Sequence, residues 1–187
     1  MGAALADAVA ALRRGEVVVY PTDTLLGLGA LATDRGAVAK LARAKGRSAA
    51  QPVSICVSSL EEVERYAVVS IAARRFVRRQ LPGPFTVLLS PSAFARRALA
   101  PSVGRRRTIG VRIPDHPVAR ELARRVGPIT ATSANRHGAP PVSSVAEARR
   151  ELGDAVRVYL PATPRGSGSP STLVDLTGPE PREVPRS

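Results

Sequence analysis

Lys45 and Arg47 stand two residues apart in Ala44-Lys45-Gly46-Arg47, in a chain that holds two lysines against 26 arginines. Where nearly every positive charge is written as arginine, a retained lysine suggests a task that a planar fork does not perform. Lysine offers a compact, flexible point charge and arginine a rigid fork of donors. One of each at this spacing suits phosphate oxygens, and an extended backbone would set them roughly 6–7 Å apart on one face. A solvated basic helix end, favoured by the helix dipole, explains the pair equally well at this level. The pattern G-x-x-x-x-G-K-[ST] is absent, so this is not a P-loop.

Three further segments place polar groups beside apolar runs. Pro21-Thr-Asp-Thr24 follows Val17-Val-Val-Tyr20. Extended spacing would put Thr22 and Thr24 on one side, and Gly27-Leu-Gly29 permits close backbone approach. A proline-initiated turn with capping threonines is the stronger reading of that segment alone. In Thr108-Ile-Gly-Val-Arg-Ile-Pro114, Arg112 lies inside an apolar strand pattern, where arginine is rarely left unpaired. It can dock a carboxylate through two parallel bonds, or form a structural salt bridge to one of the chain's few acids. In Ile129-Thr-Ala-Thr-Ser-Ala-Asn135, Ser133 and Asn135 repeat the two-residue spacing at a strand terminus, where α/β sheets commonly hold ligands. A capped turn competes with that reading. No Ser-His-Asp arrangement, catalytic cysteine or carboxylate pair emerges. Chemistry driven by positioning and charge neutralisation, as in adenylyl and phosphoryl transfer, fits this set.

Such groups need elements to hold them. The patterns predict helices over 3–14, 35–44, 59–66, 70–80, 118–126 and 143–152, with Ser143 or Ser144 capping the last. They predict strands over 17–20, 53–57, 85–89, 108–113, 128–132, near 155–159 and over 172–176. Strands and helices interleave from end to end, which argues for α/β: a mixed sheet covered by helices. Residues 161–170 read as a Gly-, Ser- and Pro-rich loop of functional length, expected to be mobile and to close over a nucleotide. No internal repeat is visible, and a single domain over 1–187 is expected.

The bulk composition sets bounds. Of 187 residues, 44% are hydrophobic but only 3% aromatic with no Trp, so the core must be aliphatic. The net charge of +13 favours anionic substrates such as nucleotides, or RNA. The single cysteine, Cys56, excludes an internal disulfide and sits in an apolar run as a small buried side chain. His116 and His137 lack acidic neighbours at ligand spacing, so no metal site is expected. The N-terminus reads as an amphipathic helix and not as a signal peptide. No stretch approaches the ~20 apolar residues of a membrane span. A cytosolic, cytoplasmic home follows as the expectation.

Taken together, the segments resemble the threonylcarbamoyl-AMP synthase family, in its short YrdC-like form. The carriers are Tyr-Pro-Thr-Asp-Thr (20–24) with Gly27-Leu-Gly29, Ala-Lys-Gly-Arg (44–47) with Gln51-Pro52, and Leu-Pro-Gly-Pro-Phe-Thr (81–86). Further along come Gly-Val-Arg-Ile-Pro-Asp-His-Pro (110–117), Thr-Ser-Ala-Asn (132–135), Gly138 and Ser-Thr-Leu-Val-Asp-Leu (171–176). Their order and spacing over nearly the whole chain are specific where no single motif is. The resemblance implies a twisted α/β sheet with a large basic concave surface. It implies a reaction joining L-threonine, bicarbonate and ATP into L-threonylcarbamoyl-adenylate, which feeds the threonylcarbamoyl modification of tRNA adenosine. By matching, Lys45, Arg47, Ser133 and Asn135 are the catalytic set. Gln51, Thr108 and Arg186 join them at ATP, and Thr24, Arg112, Ala131 and Ser171 hold threonine. Mg²⁺ is expected to travel on the ATP phosphates, and tRNA contact to be weak.

Some positions depart from the family pattern. Leu26 stands where an aromatic is usual, Ser48 where proline is, Gln51 where asparagine is common and His137 where serine is usual. The short C-terminus makes Arg186 the loosest match, and a further C-terminal domain carried by longer relatives is not expected. Two other readings share the features: a double-stranded RNA or tRNA-binding module without catalysis, and a carbamoyl-transfer relative. Scarce aromatics argue against base stacking.

Overall fold

The computed structural model describes residues 2–105, 107–161 and 166–185. Its helices are α1 (Gly2–Arg13), α2 (Arg35–Lys45), α3 (Leu60–Tyr66), α4 (Ile71–Gln80), α5 (Ala93–Ala98), α6 (Pro117–Val126) and α7 (Val145–Leu152). Its strands are β1 (Val18–Tyr20), β2 (Gly27–Gly29), β3 (Ser54–Cys56), β4 (Ala67–Val68) and β5 (Phe85–Pro91). After these come β6 (Ile109–Arg112), β7 (Ile129–Ser133), β8 (Val158–Tyr159), β9 (Thr172–Asp175) and β10 (Arg182–Glu183). Local signals set the boundaries. Asp34 caps α2 by accepting from the amides of Gly36 and Ala37, which answers two of the orphan donors of a helix start. Ser144, rather than Ser143, caps α7, and the Ser143 amide and hydroxyl donate instead to Glu147.

The strands form one sheet in the order β10-β9-β5-β6-β3-β7-β2-β1-β8, with β4 pairing outside this path to β5. Directions are mixed: β3 runs parallel to β6 and antiparallel to β7, and β5 runs antiparallel to β6 and parallel to β9. The α/β expectation holds.

Three aliphatic clusters fill the space between sheet and helices. Val87, Leu89, Ile109 and Val111 pack with Val63, Ala73 and Val77 of α3 and α4. Val17, Val19 and Leu28 pack with Leu41 of α2 and Ala148 of α7. Val18, Tyr20, Cys56 and Ile129 pack under α1 and α6. This last face carries the site. Tyr20 opposes Gly27, Gly27 opposes Ser133, Ala131 opposes Ser54, and Cys56 lies beside Arg112. Laterally paired residues share a face, so all of these project to the same side. Helices α1 and α6 cover one end of that side and leave the other end to polar residues.

Some elements differ from the sequence expectation. The Gly27-Leu-Gly29 segment is a strand, although glycine disfavours strands. Its neighbour explains it: a Cβ at Gly27 or Gly29 would meet the Tyr20 ring at 2.6 or 2.9 Å. The glycines make room for an aromatic on the adjacent strand. Helix α5, of six residues, and the two-residue strands β4 and β10 are too short to show a period. The 161–170 loop falls partly on residues 162–165, outside the described residues.

Candidate functional site

The polar end of this sheet face opens into a cavity of about 410 Å³. Thr24, Lys45, Arg47, Gln51, Arg112, Ala131, Ser133, Asn135 and Ser171 all line it, so five segments far apart in sequence meet there. Thr108 is not among the lining residues. Its amide and carbonyl pair with those of Arg105, closing a tight loop at the rim. Arg186 lies outside the described residues.

Lys45 is the last residue of α2. Gly46 follows with φ 63°, and the amides of Gly46 and Arg47 return to the carbonyls of Arg43 and Ala42. This is a Schellman close, which glycine adopts without a Cβ penalty. The expected extended spacing of Lys45 and Arg47 is therefore replaced by a helix end and a left-handed turn. Lys45 is 4% exposed, and its Nζ donates to the carbonyls of Ser133 at 2.5 Å and Asn135 at 2.6 Å. An ammonium has three donors, so two of them pin the β7 terminus and one is left at the cavity. Burial, aided by the Arg47 charge and opposed by Glu151, pushes Lys45 down to about 8. Arg47 is likewise shifted down by burial. Its Nη2 donates to the Gln51 carbonyl at 3.2 Å, and its Nε is buried without a hydrogen-bond partner among the described residues. Asn135 uses its Nδ2 to donate to the carbonyls of Arg136 and Ala139, leaving Oδ1 buried and unpartnered. The site thus presents unpaired donor and acceptor capacity from neighbouring segments.

At the other side Arg112, 8% exposed, donates through Nη2 to Asp23 Oδ1 at 2.6 Å. The salt bridge weighed in the sequence is therefore formed, but by a single prong. Arg112 Nε and Asp23 Oδ2 remain buried without partners among the described residues. Thr22 and Thr24 do converge, their hydroxyls 3.1 Å apart. They do so in a bend rather than an extended run, because the Thr22 hydroxyl accepts from the Thr24 amide and donates to the Leu25 carbonyl. The amides of Ser167 and Gly168 donate to the carbonyls of Asp23 and Thr24, so the segment before Ser171 is laced to this bend. Tyr20 donates to the Thr130 carbonyl at 3.0 Å, and burial raises its phenol well above the usual range. Burial also pushes the Cys56 thiol up to about 12, which leaves it a packed, neutral side chain.

Sequence reasoning missed Asp23 and Thr86 as site residues, although both lie inside segments it singled out. Asp23 is the partner of Arg112, and Thr86 bonds Ser171. The available signal was a polar residue within each apolar-bounded motif. In the sequence His137 stands out only as a departure from the family pattern and as a histidine without acidic neighbours. Its amide donates to the Lys45 carbonyl at 2.8 Å, and its Nε2 lies 3.4 Å from Gln51 Nε2.

Residues 10–187 match the Sua5/YciO/YrdC family, described as telomere recombination. A putative threonylcarbamoyl-AMP synthase of Mycobacterium tuberculosis is 41% identical over 179 residues, covering 95% of this chain and 81% of that protein. The threonylcarbamoyl-AMP synthase of Chromohalobacter salexigens is 36% identical over 178 residues, covering 94% of each. The crystal structure of P. abyssi Sua5 complexed with L-threonine superposes with a TM-score of 0.88 at 31% identity over 96% of this chain. The present chain spans about half (53%) of that structure's length.

Proposed function

Because the chain belongs to the Sua5/YciO/YrdC family, we propose that it joins L-threonine, bicarbonate and ATP into L-threonylcarbamoyl-adenylate and pyrophosphate. The observation that carries this is the meeting of five distant segments on one cavity, with cationic donors at one side and a buried arginine at the other. Arg112 takes the threonine carboxylate through charge-assisted bonds. The threonine amine combines with bicarbonate to give a carbamate and water. A carbamate oxygen then attacks the α-phosphorus of ATP, and the bond to the departing pyrophosphate breaks. Lys45 and Arg47 neutralise the phosphates as charge moves onto the leaving group. Ser133, Asn135 and Gln51 orient the nucleotide, and the Lys45 bonds to two β7-terminal carbonyls keep that set in register with the phosphates. Thr24, Ala131 and Ser171 shape the threonine subsite. Alignment supplies most of the acceleration, since the attacking carbamate needs no dedicated base.

The activity is that of a nucleotidyltransferase, with ATP as substrate and Mg²⁺ carried on its phosphates. Thr108 would join the ATP contacts only from the rim, and Arg186 is a further proposed ATP contact. The adenylate passes to the tRNA threonylcarbamoyl-transfer machinery in the cytoplasm, with weak, salt-sensitive tRNA contact as a secondary property. Among the described residues no helix is long and apolar enough to cross a membrane. The test is pyrophosphate release from ATP with threonine and bicarbonate each present or omitted, and mass identification of the adenylate. Release that requires both supports the reading. ATP consumption indifferent to threonine, or none at all, overturns it.

A further inference from the structure

Beside Arg112 the cavity floor carries a pair of hydroxyls. Thr86 of β5 is 4% exposed and Ser171, just before β9, is 6% exposed. Their oxygens lie 2.7 Å apart. Val87 and Leu89 on the same strand join the aliphatic core, and a valine at position 86 would fill the same volume as the threonine. A buried hydroxyl at such a place carries a desolvation penalty unless it is bonded.

The sheet register decides what this hydroxyl faces. Val87 opposes Val111 at the end of the antiparallel β5–β6 ladder, and Thr86 and Arg112 are the next residues on their strands. Residues one step on from a cross-strand pair turn to its other side, so both side chains face away from Val87 and Val111. Both residues line the cavity. A hydroxyl donates once and accepts twice. Thr86 has Ser171 as its partner among the described residues, which leaves capacity for a ligand.

We propose that Thr86 is a specificity-determining residue that reads the β-hydroxyl of the amino acid held by Arg112. This rests on the reading of the cavity as the threonine site. Valine has the shape of threonine with a methyl in place of the hydroxyl, so apolar walls discriminate poorly between them. A site that offers a buried hydroxyl to the substrate disfavours the analogue that lacks one, because a methyl placed there takes the remaining hydrogen-bonding capacity of Thr86 out of water and returns no bond beside the one to Ser171. Thr86 thereby selects threonine over valine and 2-aminobutyrate, while serine keeps the required group.

The experiment measures pyrophosphate release from ATP and bicarbonate with threonine or with valine, for the parent, Thr86→Val and Thr86→Ser. Thr86→Val is expected to lower the threonine-to-valine ratio of kcat/KM by at least ~10-fold, through a higher KM for threonine at unchanged KM for ATP. Thr86→Ser should stay within about threefold of the parent, since it retains the hydroxyl. A parental ratio in Thr86→Val overturns the assignment, as does a parent that does not discriminate. Should Thr86→Val fail to fold by circular dichroism, the same ratio in Thr86→Ala decides: a drop supports the proposal and a parental value refutes it. A parent without threonine-dependent release fails the proposed function itself, whereas a selective parent with an equally selective Thr86→Val fails only the role of Thr86.

Discussion

Replacing Lys45 by alanine should abolish most activity while leaving a folded protein, and the two effects can be weighed separately. The ammonium gives up two bonds, to the carbonyls of Ser133 and Asn135 at 2.5 and 2.6 Å. Charge-assisted bonds contribute about 1.5–3 kcal/mol each, so the gross loss is about 3–6 kcal/mol. Against this stands the burial that pushes Lys45 from 10.5 down to about 8, a penalty on the charged form of about 3 kcal/mol. Removing the charge relieves that penalty. The net destabilisation is therefore about 0–3 kcal/mol, a fall in melting temperature of no more than about 10 °C for a chain of this size. The reaction should lose more. A donor aimed at developing charge in the transition state contributes about 10²–10³-fold, and the freed β7 terminus also loosens Ser133 and Asn135. Thermal unfolding gives the first quantity, and threonine-dependent ATP–pyrophosphate exchange gives the second. Activity within about threefold of the parent, in a protein that melts normally, would refute a phosphate role for Lys45. A loss of stability well beyond 3 kcal/mol would show that the lysine is chiefly a structural clamp.

Other expectations follow from the same geometry. Arg112→Ala should raise the threonine requirement far more than the ATP requirement, by about 10-fold or more, and also leave Asp23 without its partner; a change confined to ATP affinity would contradict the assignment. Activity should decline as pH rises through about 8, where Lys45 loses its proton. Stability should move the other way: with the folded pKa below the usual 10.5, the unfolded chain binds the extra proton between the two values. The Lys45 contribution then rises with pH across that window; parallel pH–activity and pH–melting profiles would show the sign to be wrong. Gly166→Ala should raise the KM for threonine, because its Cβ would meet the Thr24 carbonyl oxygen at 2.6 Å and push the segment leading to Ser171 off the Thr22–Thr24 bend. An unchanged KM would mean that this lacing does not shape the subsite.

The sequence by itself determined the α/β class, most helices and strands, and the segments that carry polar groups. Those signals are local. Period-2 and period-3.6 apolar patterns, and a serine cap at Ser143 or Ser144, act within a few residues of themselves. It also determined that the site's cations would come as one lysine and several arginines. Only the tertiary structure decided what each group faces. Lys45 was read as a phosphate contact, but its two carbonyl partners lie 88 and 90 residues away in sequence. Arg112 was weighed between a ligand carboxylate and a structural acid. The fold supplies Asp23 across 89 residues by a single prong, and so leaves room for both readings. The Gly27-Leu-Gly29 strand is illegible in the sequence because its reason is the Tyr20 ring on the neighbouring strand, and Thr86 becomes a site residue only because the β5–β6 pairing brings it to the cavity that Arg112 lines. A sheet brings distant segments side by side through hydrogen bonds between strands, and that register is a property of the packed whole that no short stretch of sequence encodes.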